Sequence, residues 1–297
     1  MIPLLLLLPS TLAVSGFKAS IAPTVPSQSR SILFVGNSFT FGALSNVMTY
    51  RKDSVADLNG DGIGGVPAVF KRLSEEAGLH YRVSLETAAG QTLSWHLANK
   101  RAAIDRPWDD VVLQEYSTLD PDKPGDVTKT VAAARELTQL LRSRNPKVDI
   151  SLVATWTRPD LTFPPGKHWS GQPVQQMALD IRGADDRARD LLPAIARVIP
   201  VGQAFNCAIA RGIADPDPYD GVTAGQIDLW ATDNYHASTY GYYLEALTIF
   251  AAVTHNDPRK LGRNEKAARE LGIQPLIARE LREVAFEVAK TGSCRRG

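Results

Sequence analysis

Apolar residues in this chain fall into short runs separated by stretches of helical period. Residues 31–35 form an apolar run ending at Gly36, which predicts a buried strand. A helical stretch follows, and another is predicted over 66–78. Residues 81–86 read as a second strand, ending in Ala88-Ala89-Gly90, with a helix over 93–103. A third strand at 110–113 is announced by Pro107-Trp108-Asp109, and an amphipathic helix covers 126–144. Residues 148–155 give a fourth strand, 175–192 a helix and 198–201 a short fifth strand. An apolar helix is predicted over 238–253, and one or two more over 264–290. Strands spaced by helices imply α/β architecture: a three-layer α/β/α sandwich with a mostly parallel central sheet. Such sheets put their ligand sites at the carboxyl ends of the strands.

The N-terminus departs from this rhythm. Met1-Ile2-Pro3 leads into Leu4 to Leu8, and apolar character persists to Val14. That is short of the roughly 20 apolar residues a membrane span needs. It suits the apolar core of a signal peptide over 1–15, with Ala13 and Ser15 near a cleavage point, although no Lys or Arg precedes it. A Ser/Pro/Ala-rich linker is expected over 16–30 and a single domain over 31–297. The expected location is therefore periplasmic or secreted. No stable membrane insertion is expected, and a formal net charge of +1 gives no electrostatic reason to expect nucleic acid as a partner. Cys207 and Cys294 are compatible both with a disulfide, as an exported protein allows, and with two free thiols.

Four short segments at predicted strand ends carry candidate chemistry. Gly36-Asn37-Ser38-Phe39-Thr40 places a serine at a strand-to-helix turn, where its hydroxyl projects above the sheet and helix N–H groups can stabilise an oxyanion. The plain alternative is that Ser38 only caps the helix. Gly90 lets backbone approach a ligand and leaves an N–H to offer. Gln114 opens the loop after the third strand, where its amide could donate to an oxyanion. Glu115 beside it reads as a charge bonded to loop backbone. Asp233-Asn234-Tyr235-His236 puts a carboxylate three residues before an imidazole, close enough to orient it and fix its tautomer.

Together these segments resemble the blocks of the SGNH (GDSL-like) hydrolase superfamily. The Ser block matches as Gly36-Asn37-Ser38, the Gly block as Gly90, and the D-x-x-H block as Asp233 to His236, in the family's order from about residue 31 to 240. The chain departs from the family at the third block, where Gln-Glu-Tyr-Ser stands in place of G-x-N-D. The resemblance implies a flavodoxin-like SGNH fold and acyl transfer without a cofactor or metal. Ser38 is then the nucleophile, His236 the base and Asp233 its orienter. Ser38, Gly90 and Gln114 form the oxyanion hole. It implies a small-molecule or glycan ester as substrate, with a carbohydrate-linked acetyl group the first expectation and a lipase or thioesterase preference the competing one. The altered third block motivates a rival of another class, a non-catalytic glycan-binding or envelope protein that keeps the fold.

Two other features carry candidate chemistry. Asp57, Asn59 and Asp61 with Gly62 follow the first half of a calcium loop, but Ala68 stands where the bidentate acid belongs, so a polar loop is the better expectation. Trp95 with His96, and Trp156 with His168 and Trp169, fall on the carboxyl side of the sheet, where aromatics stack on sugars, line an acyl pocket or simply pack loops.

Overall fold

The computed structural model describes residues 29–294, together with Met1. The expected signal peptide and nearly all of the expected linker lie outside the described residues. Six strands, β1 (Arg30–Gly36), β2 (Ala56–Asp57), β3 (Tyr81–Thr87), β4 (Asp110–Leu113), β5 (Asp149–Val153) and β6 (Arg197–Ile199), form one sheet in the order β2-β3-β1-β4-β5-β6. All pairings are parallel. The helices are α1 (Ser38–Phe41), α2 (Gly65–Glu76), α3 (Leu93–Asn99), α4 (Arg101–Ile104), α5 (Thr128–Arg144), α6 (Pro159–Thr162), α7 (Gln176–Leu191), α8 (Val201–Ala210), α9 (Thr239–Thr254), α10 (Lys266–Glu270) and α11 (Pro275–Thr291).

β1 is fully enclosed, and the two-residue period of a strand sends its side chains to both faces. Ile32 and Phe34 join the core formed with α2, α8, α9 and α11, whereas Leu33 and Val35 join the core under α3 and α5. This is the expected three-layer α/β/α sandwich. β1 has β3 on one side and β4 on the other, so the chain reverses its direction of travel across the sheet there. A crevice opens at the carboxyl end of such a strand. Register brings the neighbours level: Gly36 lies opposite Thr87, and Val35 opposite Leu113.

Several elements differ from the expectation. α8 is not among the expected elements; it starts at Val201, inside the run read as the fifth strand, and most of its residues are buried. β2 is two residues long, too short to show alternation. The helix expected over 93–103 breaks at Lys100 (φ −125°, ψ 16°). The last segment, expected as one or two helices, agrees with that expectation: it forms α10 and α11, parted at Gly272, whose φ of +77° ends one helix before Pro275 opens the next. Cys207 on α8 is disulfide-bonded to Cys294, which fastens the C-terminal tail to the core. No helix among the described residues is long and apolar enough to cross a membrane.

Candidate active site

Ser38 is the first residue of α1, directly beyond β1, and is 4% exposed. It is not the cap. Asn37 is: its Oδ1 accepts the Phe39 N–H at 3.2 Å, so the Ser38 hydroxyl is not spent on closing the helix. The Asn37 amide nitrogen donates to the carbonyls of Gln91 (3.1 Å) and Glu115 (3.3 Å), tying the serine turn to the loops after β3 and β4. Gly36 has no room for a side chain, since a Cβ would stand 2.1 Å from Thr40 Oγ1 and 2.8 Å from Gln114 Oε1. Gly90 is exposed at φ +68°, a conformation natural to glycine.

The Asp233–His236 turn is organised around one carboxylate. Asp233 Oδ2 lies 2.6 Å from His236 Nδ1, while Oδ1 accepts the backbone N–H groups of Tyr235 (3.1 Å) and His236 (3.0 Å). Asn234 takes the left-handed backbone (φ +52°) that lets the turn close, a conformation asparagine tolerates well. Partial burial pushes the Asp233 carboxyl up, but the hydrogen bonds from His236 and the two backbone N–H groups outweigh it and hold it below the usual carboxylate range. With Nδ1 committed, His236 Nε2 is shielded from solvent and makes no hydrogen bond. Its ring meets Phe39, the neighbour of Ser38, edge-on at 5.8 Å between centroids. The fold thus gathers Ser38, Asp233 and His236 at one end of the sheet, but Ser38 and His236 Nε2 are not hydrogen-bonded to each other. Serine–histidine pairs commonly tighten only when substrate arrives.

Gln114 sits level with the serine turn but faces it in an unexpected way. Its Oε1 accepts the Asn37 N–H and the Thr40 hydroxyl, both at 3.0 Å, and its amide nitrogen donates to the Glu115 carbonyl. Only an amide oxygen can meet the Asn37 N–H, so the orientation is fixed. The side chain braces the Ser block from beneath. The expected oxyanion role departs from this geometry, because both ends of the amide are already bonded within the fold. Glu115 is bonded to loop backbone as expected: Oε1 accepts the N–H groups of Leu93 (3.0 Å) and Tyr116 (2.7 Å). Burial raises it to about 7.

Sequence reasoning missed three residues. Tyr235, inside the D-x-x-H turn, packs its ring against Phe39 (5.4 Å between centroids) and His236 (4.2 Å). Arg158 lies over the Tyr235 ring, 3.7 Å from its centroid, and donates to Ser117 Oγ at 3.1 Å and to Asp160 at 2.7 Å. Ser117 and Arg158 follow β4 and β5, so the rule of carboxyl strand ends would have found both had it been applied to every strand. The turn is also anchored from below, where Trp156 Nε1 donates to the Tyr235 carbonyl (3.3 Å) and Asp160 N–H to that of Asn234 (3.1 Å).

The tryptophans divide between packing and lining. Trp156 is buried in a stack between Phe39 (4.0 Å) and Phe205 (5.0 Å), and Trp169 is buried with its indole N–H on Asp180 (2.8 Å). Half-buried Trp95 lines a cavity of about 460 Å³ with Phe41, Met48, Ile63, Ala88 and Ala89. The Asp57 loop forms its rim and is closed on itself: Asp57 accepts the N–H groups of Asn59 (3.0 Å) and Ile63 (3.1 Å), the polar-loop reading.

No protein-family model matches this chain, and no curated protein matches it by sequence. Solved structures do match by shape. A DUF4886 family protein from Bacteroides uniformis superposes with a TM-score of 0.64 at 20% identity, over 91% of this chain and 98% of that one. A protein from Parabacteroides merdae assigned as a GDSL-like lipase gives 0.53 at 18% identity, over 77% and 96%. The sheet, its layers and these likenesses agree that the chain has the fold of the SGNH (GDSL-like) hydrolases.

Proposed function

We propose that this protein is an exported serine ester hydrolase, with Ser38 as nucleophile, His236 as general base and Asp233 as its orienter. One observation carries the reading: His236 is fixed through Nδ1 by Asp233 at 2.6 Å, while its other nitrogen is shielded and uncommitted beside the Ser38 helix. In the reaction Ser38 Oγ attacks the ester carbonyl carbon and its proton passes to His236 Nε2. The carbonyl π pair becomes an oxyanion. When it collapses, the alcohol leaves with the proton from His236, and water repeats the sequence to free the acid. The Ser38 and Gly90 N–H groups are the backbone donors of this reading.

A carbohydrate-linked acetyl group is the proposed substrate. The support is an exposed ring pair, Phe163 and Tyr219, 5.3 Å apart and beyond α6, whose Asp160 N–H is bonded to the D-x-x-H turn. Export rests on the apolar leader and on the Cys207–Cys294 disulfide, which needs an oxidising compartment to persist.

The test compares wild type with Ser38→Ala on p-nitrophenyl acetate, p-nitrophenyl decanoate and an acetylated xylo-oligosaccharide. Ser38→Ala is expected to lose about 10³-fold or more in kcat on the acetyl substrates. Equal rates for the two proteins would return the chain to the non-catalytic reading. Faster turnover of the decanoate would move it to the lipase reading.

A further inference from the structure

Proton transfer from Ser38 needs His236 Nε2 held in one place, and the Asp233 carboxylate alone does not hold it. A hydrogen bond at Nδ1 fixes one atom of the imidazole. The ring can still swing about that contact and carry Nε2 out of line. Packing against the ring stops the swing. The Tyr235 ring lies 4.2 Å from the imidazole between centroids, with 40° between planes, and Phe39 meets it edge-on at 5.8 Å. Phe39 is fixed by its stack on Trp156. Tyr235 is fixed by Arg158, whose guanidinium carbon stands 3.7 Å from the centre of the phenol ring.

The guanidinium plane is itself set by hydrogen bonds from every nitrogen. Nε and Nη2 fork onto the two Asp160 oxygens at 3.1 and 2.7 Å, and Nη1 donates to the buried Ser117 Oγ at 3.1 Å. The side chain is only 12% exposed, so it offers Tyr235 a fixed face, with its fork already occupied within the fold. The same segment takes hold of the turn a second time, through the Asp160 N–H on the Asn234 carbonyl at 3.1 Å. We infer that Arg158 is a positioning residue for the reaction proposed above: pinned by Asp160 and Ser117, its plane holds the Tyr235 ring against the His236 imidazole and keeps Nε2 beside the Ser38 helix. This rests on the esterase reading of Ser38 and His236. Arg158 takes no part in the proton transfer and acts through Tyr235.

Arg158→Met tests this, because it keeps an unbranched stem and removes the plane, the charge and the fork. Its kcat on p-nitrophenyl acetate, per folded molecule, is expected to fall about 100-fold with KM unchanged, the size of effect that follows a misplacement of about 1 Å. Arg158→Lys restores the charge without the fork and is expected to recover only part of that loss. Tyr235→Leu is expected to match Arg158→Met. Joining the two changes should cost no more than the larger one alone, because both act through one ring. An arginine that only stabilises the fold would lower the melting temperature and leave kcat per folded molecule at the wild-type level. That result overturns the inference, as do a loss confined to KM, additive losses in the double variant, and full activity in Arg158→Lys, which decides the matter even if Arg158→Met does not fold. All of these leave Ser38 in its role. Wild-type turnover that survives in Ser38→Ala overturns the esterase reading as well.

Discussion

His236 and His96 are held in nearly the same way. His236 Nδ1 lies 2.6 Å from Asp233, and His96 Nδ1 lies 2.5 Å from Glu86. In both, Nε2 is shielded and makes no hydrogen bond. The surroundings differ. His96 and Glu86 are fully buried between α3 and β3, with the Trp95 ring edge-on and Asn59 donating to the other Glu86 oxygen at 3.3 Å. Among the described residues, the side-chain hydrogen bonds of this pair run to each other and to Asn59, not to a serine or cysteine. His236 keeps 13% of its side chain exposed, on a turn that faces the helix of Ser38. A carboxylate-oriented imidazole therefore occurs twice in this protein and does not by itself mark a catalytic site. Chemistry is assigned by what stands opposite Nε2 and by whether a substrate can reach it.

The two pairs should separate cleanly under mutation, and the largest effect is expected at the turn. Asp233→Asn leaves the shape intact but presents an amide to Nδ1, which favours the wrong tautomer. A drop in kcat of about 10³- to 10⁴-fold is expected, with the melting temperature little changed. Esterase assays with thermal unfolding check it. Full activity in Asp233→Asn would reduce the Asp233–His236 pair to a fold-closing contact like its buried counterpart.

The opposite pattern is expected at the buried pair. His96→Ala leaves the Glu86 carboxyl in the core without its partner, a change that costs about 3 kcal/mol. Urea unfolding should show that loss, while kcat per folded molecule stays at the wild-type level. A collapse of kcat with unchanged stability would mean that the buried pair works with the 460 Å³ cavity whose rim carries Asn59.

How much of this was legible in the chain follows from the physics of each feature. β1 was readable because a strand enclosed on both faces is a run of apolar residues, and Ser38 and His236 were readable because short local spacing defines them. The orientation of Gln114 was not, because its acceptor role toward the Asn37 N–H depends on β1 and β4 lying side by side with Val35 level with Leu113. The Arg158–Ser117–Tyr235 group joins the ends of two strands to a turn nearly eighty positions further on, and no local pattern records that. Helix α8 was overlooked because it begins at Val201, directly after the short apolar strand β6, so that its apolar residues read as the strand's continuation. The Asp57 loop misled less than its calcium-like spacing suggested, because the missing acid at Ala68 was visible in the sequence.

Glu115 extends the comparison to a buried carboxyl with no imidazole at all. It is 4% exposed, and the groups that favour its charged form, the Leu93 and Tyr116 N–H groups and the Thr130 hydroxyl, are all neutral. Burial is the largest influence on it, and the backbone donors only partly offset that, leaving it near 7 against an ordinary value of 4.5. The folded state therefore holds a proton that the unfolded chain releases between those two values. The stability this confers is complete below pH 4.5 and is lost as the pH rises through 7, about 3 kcal/mol in all. Asp185, fully buried and raised well above its ordinary range partly by Glu115, adds a further slope of the same sign. Glu115→Gln keeps the size and the acceptor oxygen for Leu93 and Tyr116 but cannot ionise. Urea unfolding at a series of pH values is expected to give coincident stabilities below pH 4.5 and a variant more stable than wild type above 7. The difference curve reads Glu115 together with its influence on Asp185. Parallel curves across the whole range would mean that Glu115 ionises freely inside the fold, and that a buried carboxyl beside this site needs no imidazole to carry its charge.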